Sequence, residues 1–223
     1  AHVFLREAHS LRHREPEPAA RWLRACGRAM VHFCARLGAT FIKVGQIAST
    51  RGDLLPQPLI VELSHLQDRV PPFPFAAVRA VVESELGRPL EAVYREFDPA
   101  PVAAASVSQV HRAILAAGGD VVAVKVRRPD IERLVALDSR ILVFVAGLLE
   151  RLVPSLRLVS LADAMQHFCD AVALQMRFDL EADHNERFTA NFADDPDIDF
   201  PRLHREASSR AVLTMGFVDG VHE

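Results

Sequence analysis

Two of the 26 cationic side chains in this chain are lysines, Lys43 in FIKVGQ and Lys125 in VVAVKV, and the rest are arginines. Arginine presents a planar, permanently charged fork, whereas lysine is a compact ammonium that sits against a phosphate oxygen or a single carboxylate as a point charge. A chain so biased toward arginine keeps lysine where the fork does not fit. Surface placement is the ordinary alternative for both positions. Around Lys125, period-two alternation puts Val122, Val124 and Val126 on one face of a strand and Ala123, Lys125 and Arg127 on the other. A lysine shown from a rigid strand beside a small residue suits the grip of a phosphate, with a carboxylate from a following helix to fix the ammonium. Lys43 and Gln46 are three residues apart and share one helical face.

Metal and redox chemistry are poorly represented. His9 and His13 have helical i, i+4 spacing but lack a third ligand, and the cysteines (Cys26, Cys34, Cys169) form no CxxC pair. Scattered thiols, odd in number, fit a reducing compartment, so a cytoplasmic location is expected.

The elements that must position these residues are legible in outline. From Pro18 to about Leu66 apolar residues recur at helical spacing, with a break near residues 52 to 56. Pro71, Pro72 and Pro74 form a stiff turn, and Phe75 to Leu86 reads as a helix closed by Gly87. Ser108 to Leu115 and Val121 to Arg127, joined by Gly118-Gly119-Asp120, predict an antiparallel hairpin. Helical patterns follow over about Ile131 to Leu152 and Leu161 to Asn191, then strand-like segments near Pro201 to His204 and Ala211 to Phe217. The sum is α+β.

Half of the residues are apolar and the net charge is -3, as in ordinary globular material. Residues 1 to 51 hold nine Arg or Lys against three Glu, so a basic amino-terminal segment precedes a body of about -9. That asymmetry fits an anionic neighbour such as a membrane surface, or an arginine-rich solvated face. The longest apolar run, Ile141 to Leu149, is far short of the ~20 residues of a membrane helix. Nucleic-acid binding lacks an aromatic platform or motif and is not expected. The chain starts without methionine and is expected to be a fragment.

Several motifs in one order carry a resemblance: Leu37-Gly-Ala-Thr-Phe-Ile-Lys-Val-Gly-Gln46, Ser49-Thr-Arg-Gly-Asp-Leu-Leu-Pro56, Leu66-Gln-Asp-Arg-Val-Pro-Pro72, the alanine-rich stretch from Ala103, Val-Ala-Val-Lys125 and Glu181-Ala-Asp-His-Asn-Glu-Arg-Phe188. Together they resemble the UbiB (AarF) family of atypical protein-kinase-like proteins, from about residue 37 onward. The resemblance implies a kinase-like small lobe, an antiparallel sheet with inserted helices at 99–223 ending at the hinge, preceded by a helical extension at 1–98, with the large catalytic lobe absent. It implies that Lys125 binds phosphates and that Glu181 is its helix partner. It further implies that Ala103, Ala104, Ala105 and Ser106, with Gln109 and Val110, form an alanine-rich nucleotide loop, and that Ala123 leaves room for adenine. Met215, Phe217 and Val218 would be the end of the fifth strand and the hinge that contacts adenine, and Lys43 with Gln46 the KxGQ motif, packed over the nucleotide site. ATP and magnesium are the implied cofactors, with the metal ligands beyond this chain. An isoprenoid lipid or anionic membrane surface and a second copy are further implied partners. The implied role is support of ubiquinone or other isoprenoid-lipid synthesis, peripheral at the inner membrane. A pseudokinase-like scaffold without catalysis is the alternative.

Two departures stand out. The family's E-x-D carboxylates, six and four residues before the helix glutamate, correspond here to Gln175 and Arg177. Lys43 thereby loses its usual partners, and Arg177, i, i+4 to Glu181 on one helix, competes with Lys125 for that carboxylate; weakened docking of the KxGQ helix, or a rewired network through Asp179, is expected. The catalytic-loop and metal-binding aspartates are not in the sequence, so the chain alone is expected to lack phosphotransferase or ATPase activity.

Overall fold

A computed structural model describes residues 18–50, 52, 55–66, 71–152 and 160–218. His9, His13 and the basic residues before Pro18 lie outside the described residues, as do Arg51, Asp53 and Leu54 in the second motif and residues 67–70 in the third. By contact the chain divides into two compact units, Ala1–Arg69 and Val70–Glu223.

The first unit holds three mutually packed helices, α1 (Pro18–Leu37), α2 (Ala39–Ser49) and α3 (Gln57–Ser64). Gly38, at φ 108°, separates α1 from α2 in a conformation that a side chain would strain. Gly27 lets α1 approach α3 closely: a Cβ there would stand 2.7 Å from the Cβ of Glu62.

The second unit runs α4 (Phe75–Leu86), the single turn α5 (Leu90–Val93), β1 (Tyr94–Ala104), β2 (Ser108–Leu115), β3 (Val121–Arg127), α6 (Ile131–Leu152), α7 (Leu161–Leu174), α8 (Phe178–Asn191), a 3-10 turn (Arg205–Ala207) and β4 (Val212–Gly216). The four strands form one antiparallel sheet in the order β1-β2-β3-β4. The α+β expectation, with helices inserted into an antiparallel sheet after a helical region, holds. Gly87 ends α4 in the left-handed conformation, φ 64°, its N–H donating to the Glu83 carbonyl at 3.0 Å.

Three features differ from the sequence reading. A strand, β1, precedes the predicted hairpin; its alternation is broken by Pro99 and Pro101, and its register with β2 slips between Phe97 and Pro101 and again before Ala103. Proline is tolerated there because β1 is an edge strand. The contact boundary at Arg69/Val70 accordingly lies well before residue 98, since α4, α5 and β1 share one core with the sheet: Val78, Val82, Leu90, Val93 and Tyr94 pack with Val122, Val124 and Val126. Each such fully buried side chain contributes about 1.5–3 kcal/mol. Finally, the helical stretch expected from Leu161 to Asn191 is broken at residues 175–177. Arg177 is extended (φ -99°, ψ 92°) and the Phe178 N–H donates to the Arg210 carbonyl at 3.1 Å. A tertiary bond thus restarts the chain as a new helix.

Pro201 to His204 contributes one bridge, Leu203 opposite Met215, rather than a full strand. Among the described residues, no helix is long and apolar enough to cross a membrane.

Candidate functional site

Strand parity decides what faces where. On β3, Val122, Val124 and Val126 are fully buried in the core, which leaves Ala123, Lys125 and Arg127 on the opposite face. The register carries that face across the sheet: Lys125 lies opposite Val110 on β2 and Leu213 on β4, and Ala123 lies opposite Arg112 and Met215. Ala103 on β1 pairs with Val110 and completes it. α8 packs against one part of this face, where Phe178 and Ala182 bury Leu213 with Met215 alongside.

That packing delivers Glu181 to Lys125. The Lys125 ammonium donates to both carboxylate oxygens, at 2.8 Å to Oε1 and 2.7 Å to Oε2, and sits 4.7 Å from the centroid of the buried Phe178 ring. Phe178 and Glu181 are one helical turn apart, so one helix face supplies both ring and carboxylate. An ammonium has three protons, and two are engaged here. The Lys125 side chain remains 25% exposed, which keeps it accessible to an anion.

Arg177 does not compete for Glu181. Because the helix starts only at Phe178, the Arg177 side chain turns to Asp179, with Nε donating to Oδ1 at 3.2 Å and Nη2 to Oδ2. The same bonds hold the Asp179 carboxyl below its ordinary range. Gln175 caps the end of α7 through its backbone and is exposed.

The alanine-rich stretch straddles β1 and the turn into β2. The Ala105 N–H donates to the Ser108 carbonyl at 2.7 Å, and Ser106 is buried beneath the turn. Arg128, which sequence reasoning missed, secures it: its backbone N–H donates to the Val107 carbonyl at 2.8 Å, and Nη2 reaches the carbonyls of Pro71 (2.9 Å) and Ala105 (3.3 Å). Burial pushes the Arg128 guanidinium below its ordinary value.

Gln109, expected in the nucleotide loop, is turned to the core face. It pairs with Val126, on the core face, and is 1% exposed. Its Nε2 donates to the Phe73 carbonyl (3.3 Å) and to His111 Nε2 (2.9 Å), while its Oε1 accepts the Phe73 N–H (3.0 Å). The His111 Nδ1–H then donates to the Asp98 carbonyl at 2.8 Å. This tautomer satisfies every bond, and burial pushes the imidazole below its usual value so that it stays neutral. Hairpin parity alone would have separated Gln109 from Val110, which does face the site.

At the end of β4, the Phe217 N–H extends the ladder to the Val121 carbonyl (3.0 Å), the Phe217 ring stacks with Arg112, and Val218 is exposed. Ala123 and Met215 are directly opposed between Lys125 and this end.

In the first unit, Lys43 is half-buried on α2. Gly45 and Gln46 both address Leu66: a Cβ on Gly45 would collide with the Leu66 side chain, and Gln46 Nε2 donates to the Leu66 carbonyl at 3.1 Å. The glycine and the glutamine therefore dock the end of α3 on α2.

A family model described as the ABC1 atypical kinase-like domain matches residues 65–222. The chain is 37% identical to the probable protein kinase UbiB of Marinobacter nauticus and 40% identical to the chloroplastic protein Activity of BC1 complex kinase 3 of Arabidopsis thaliana. Each alignment covers 83% of this chain, and respectively 34% and 26% of the relative. The chain thus spans about a third or less of those relatives. A solved structure, Rv3197 of Mycobacterium tuberculosis in complex with erythromycin, superposes with a TM-score of 0.58 at 27% identity, over 80% of this chain and 44% of that one.

Proposed function

Since the chain belongs to the ABC1 atypical kinase-like family, we propose that its second unit is the nucleotide-gripping small lobe of an ATP-dependent enzyme. The observation that carries this reading is the two-pronged Lys125–Glu181 contact on the Phe178 ring, a fixed ammonium with one proton to spare for phosphate. On this reading the phosphates rest on Lys125, with Ala103 to Ser106 closing over them. The adenine lies on Ala123 and Met215, and the backbone at Phe217 and Val218 meets its edge. Magnesium would neutralise charge between the phosphates. Its ligands are proposed to lie in the rest of the parent protein.

For the parent we propose ATP-dependent support of ubiquinone or other isoprenoid-lipid synthesis at a membrane surface, the inner membrane being the site implied by the family resemblance. The 223-residue chain by itself binds nucleotide without turning it over. Calorimetric titration with ATP and magnesium, comparing the chain with Lys125→Met, tests both statements. Saturable binding lost in the variant is expected; equal or absent binding in both defeats the reading, and ATP turnover abolished by Lys125→Ala defeats the inactivity.

One observation favours a second reading, a scaffold that binds lipid or protein without catalysis: Gln175 and Arg177 occupy the two positions where carboxylates are expected, and Arg177 is consumed by Asp179. A parent that holds ATP but never hydrolyses it would decide for the scaffold.

A further inference from the structure

Glu181 can meet Lys125 only if α8 starts at the right place, and that start follows a break in the chain. The groups that fix it converge on one side chain. Arg127, two residues beyond Lys125 on the same strand face, is 13% exposed, and its Nη1 donates to the Met176 carbonyl (2.9 Å) and to Glu132 Oε1 (3.0 Å). Arg210 Nη2 donates to the same Glu132 oxygen at 2.9 Å, and the Arg210 carbonyl accepts the Phe178 N–H. The Arg127 backbone N–H is bonded in turn to the Ala211 carbonyl at 2.9 Å. One guanidinium thus ties together the end of β3, the first turn of α6 and the last residues before α8, and through Glu132 the start of β4.

We propose that Arg127 is a positioning residue that holds Glu181 in its engaged place on Lys125. It acts through Met176 and Glu132 and touches neither member of the pair. The inference rests on the nucleotide reading only for what the engaged pair is used for; the geometry it concerns exists without nucleotide.

The chain's two lysines make a direct test possible. With no nucleotide present, a small amine-acylating reagent is applied and the modification of Lys125 is read by mass spectrometry against Lys43. A carboxylate across the ammonium shields it; Glu181→Gln sets the ratio for a released lysine. Arg127→Met is expected to raise the Lys125:Lys43 ratio about tenfold, the worth of one hydrogen bond to a charged group. Glu132→Gln, which leaves Arg127 in place, is expected to raise it about threefold. Amide exchange across β2 and β3 is followed in the same samples. A rise with β2 and β3 still protected supports the proposal. An unchanged ratio, or a rise only as that protection collapses, overturns it, and if Arg127→Met does not fold, Glu132→Gln decides alone. Loss of ATP binding with these ratios intact would defeat the functional reading and leave this inference standing.

Discussion

The two faces of the sheet are built from neighbouring residues and serve opposite purposes. On one, Gln109, His111, Val122, Val124 and Val126 are sealed against α4 and α5, and each polar atom has a partner. On the other, Val110, Ala123 and Met215 are only half-buried, and Lys125 keeps capacity in reserve. A one-residue step along a strand therefore separates a side chain sealed in the core from one on the face to which the proposed function assigns the nucleotide. The contrast is sharpest between Gln109 and Val110, or between Val124 and Lys125.

Substitutions across that divide should separate stability from binding. Val124→Asp places an unpaired carboxylate in the sealed core and should cost upward of about 4 kcal/mol, seen as loss of cooperative unfolding by circular dichroism; a stably folded variant would show that the face is less closed than its burial indicates. Gln109→Leu strands the Phe73 N–H and carbonyl as well as His111, and should cost about 2–4 kcal/mol in denaturant titrations. It should leave ATP affinity per folded molecule unchanged; a selective loss of affinity would return Gln109 to the nucleotide loop.

Next comes Tyr94, whose hydroxyl lies 2.8 Å from Thr214 Oγ1 and whose burial pushes the phenol up to about 12. Its neutral form is favoured by folding, so the contribution is complete below the ordinary value of about 10 and is lost as pH rises from there through about 12. The loss amounts to about 2–3 kcal/mol. As the chain's single tyrosine, it can be followed by phenolate absorbance, and Tyr94→Phe should remove the step. His111 has the opposite profile: with its folded value depressed, stability is present above the ordinary imidazole value and declines as pH falls below it.

The smallest effect on stability belongs to the open face. Glu181→Gln breaks a partly exposed ion pair and should change unfolding by about 1 kcal/mol or less. Yet it should weaken ATP binding about tenfold or more, since Lys125 loses its anchor. A large drop in melting temperature with binding intact would invert the assignment of the two faces.

How far the sequence reveals this depends on whether the determining bond is local. The β2–β3 hairpin is readable because alternation and the positive-φ glycines 118 and 119 are contiguous signals. Lys125 and Glu181 were nameable because their motifs match a family. The break before α8 is not readable, as it is fixed by a bond from Phe178 to Arg210, 32 positions away. For the same reason the sequence suggested a contest between Arg177 and Lys125 that the fold never stages. β1 escaped notice because an edge strand tolerates prolines that erase its alternation. Alternation put Arg127 on the Lys125 face without a role, and Arg128 gave no signal in an arginine-rich sequence; the acceptors distant in the chain, Met176 for Arg127 and Pro71 for Arg128, distinguish them.

The clamp at Arg127 has one more consequence. Glu132 near the beginning of α6 and Met176 just beyond α7 are bonded to the same guanidinium nitrogen, so the long helical excursion leaves and rejoins the sheet at a single point. Both ends are therefore held at one guanidinium, and the entropy of closing a loop grows only slowly with length. A change in the length of the excursion should therefore leave the strand and the helix that carry Lys125 and Glu181 in register.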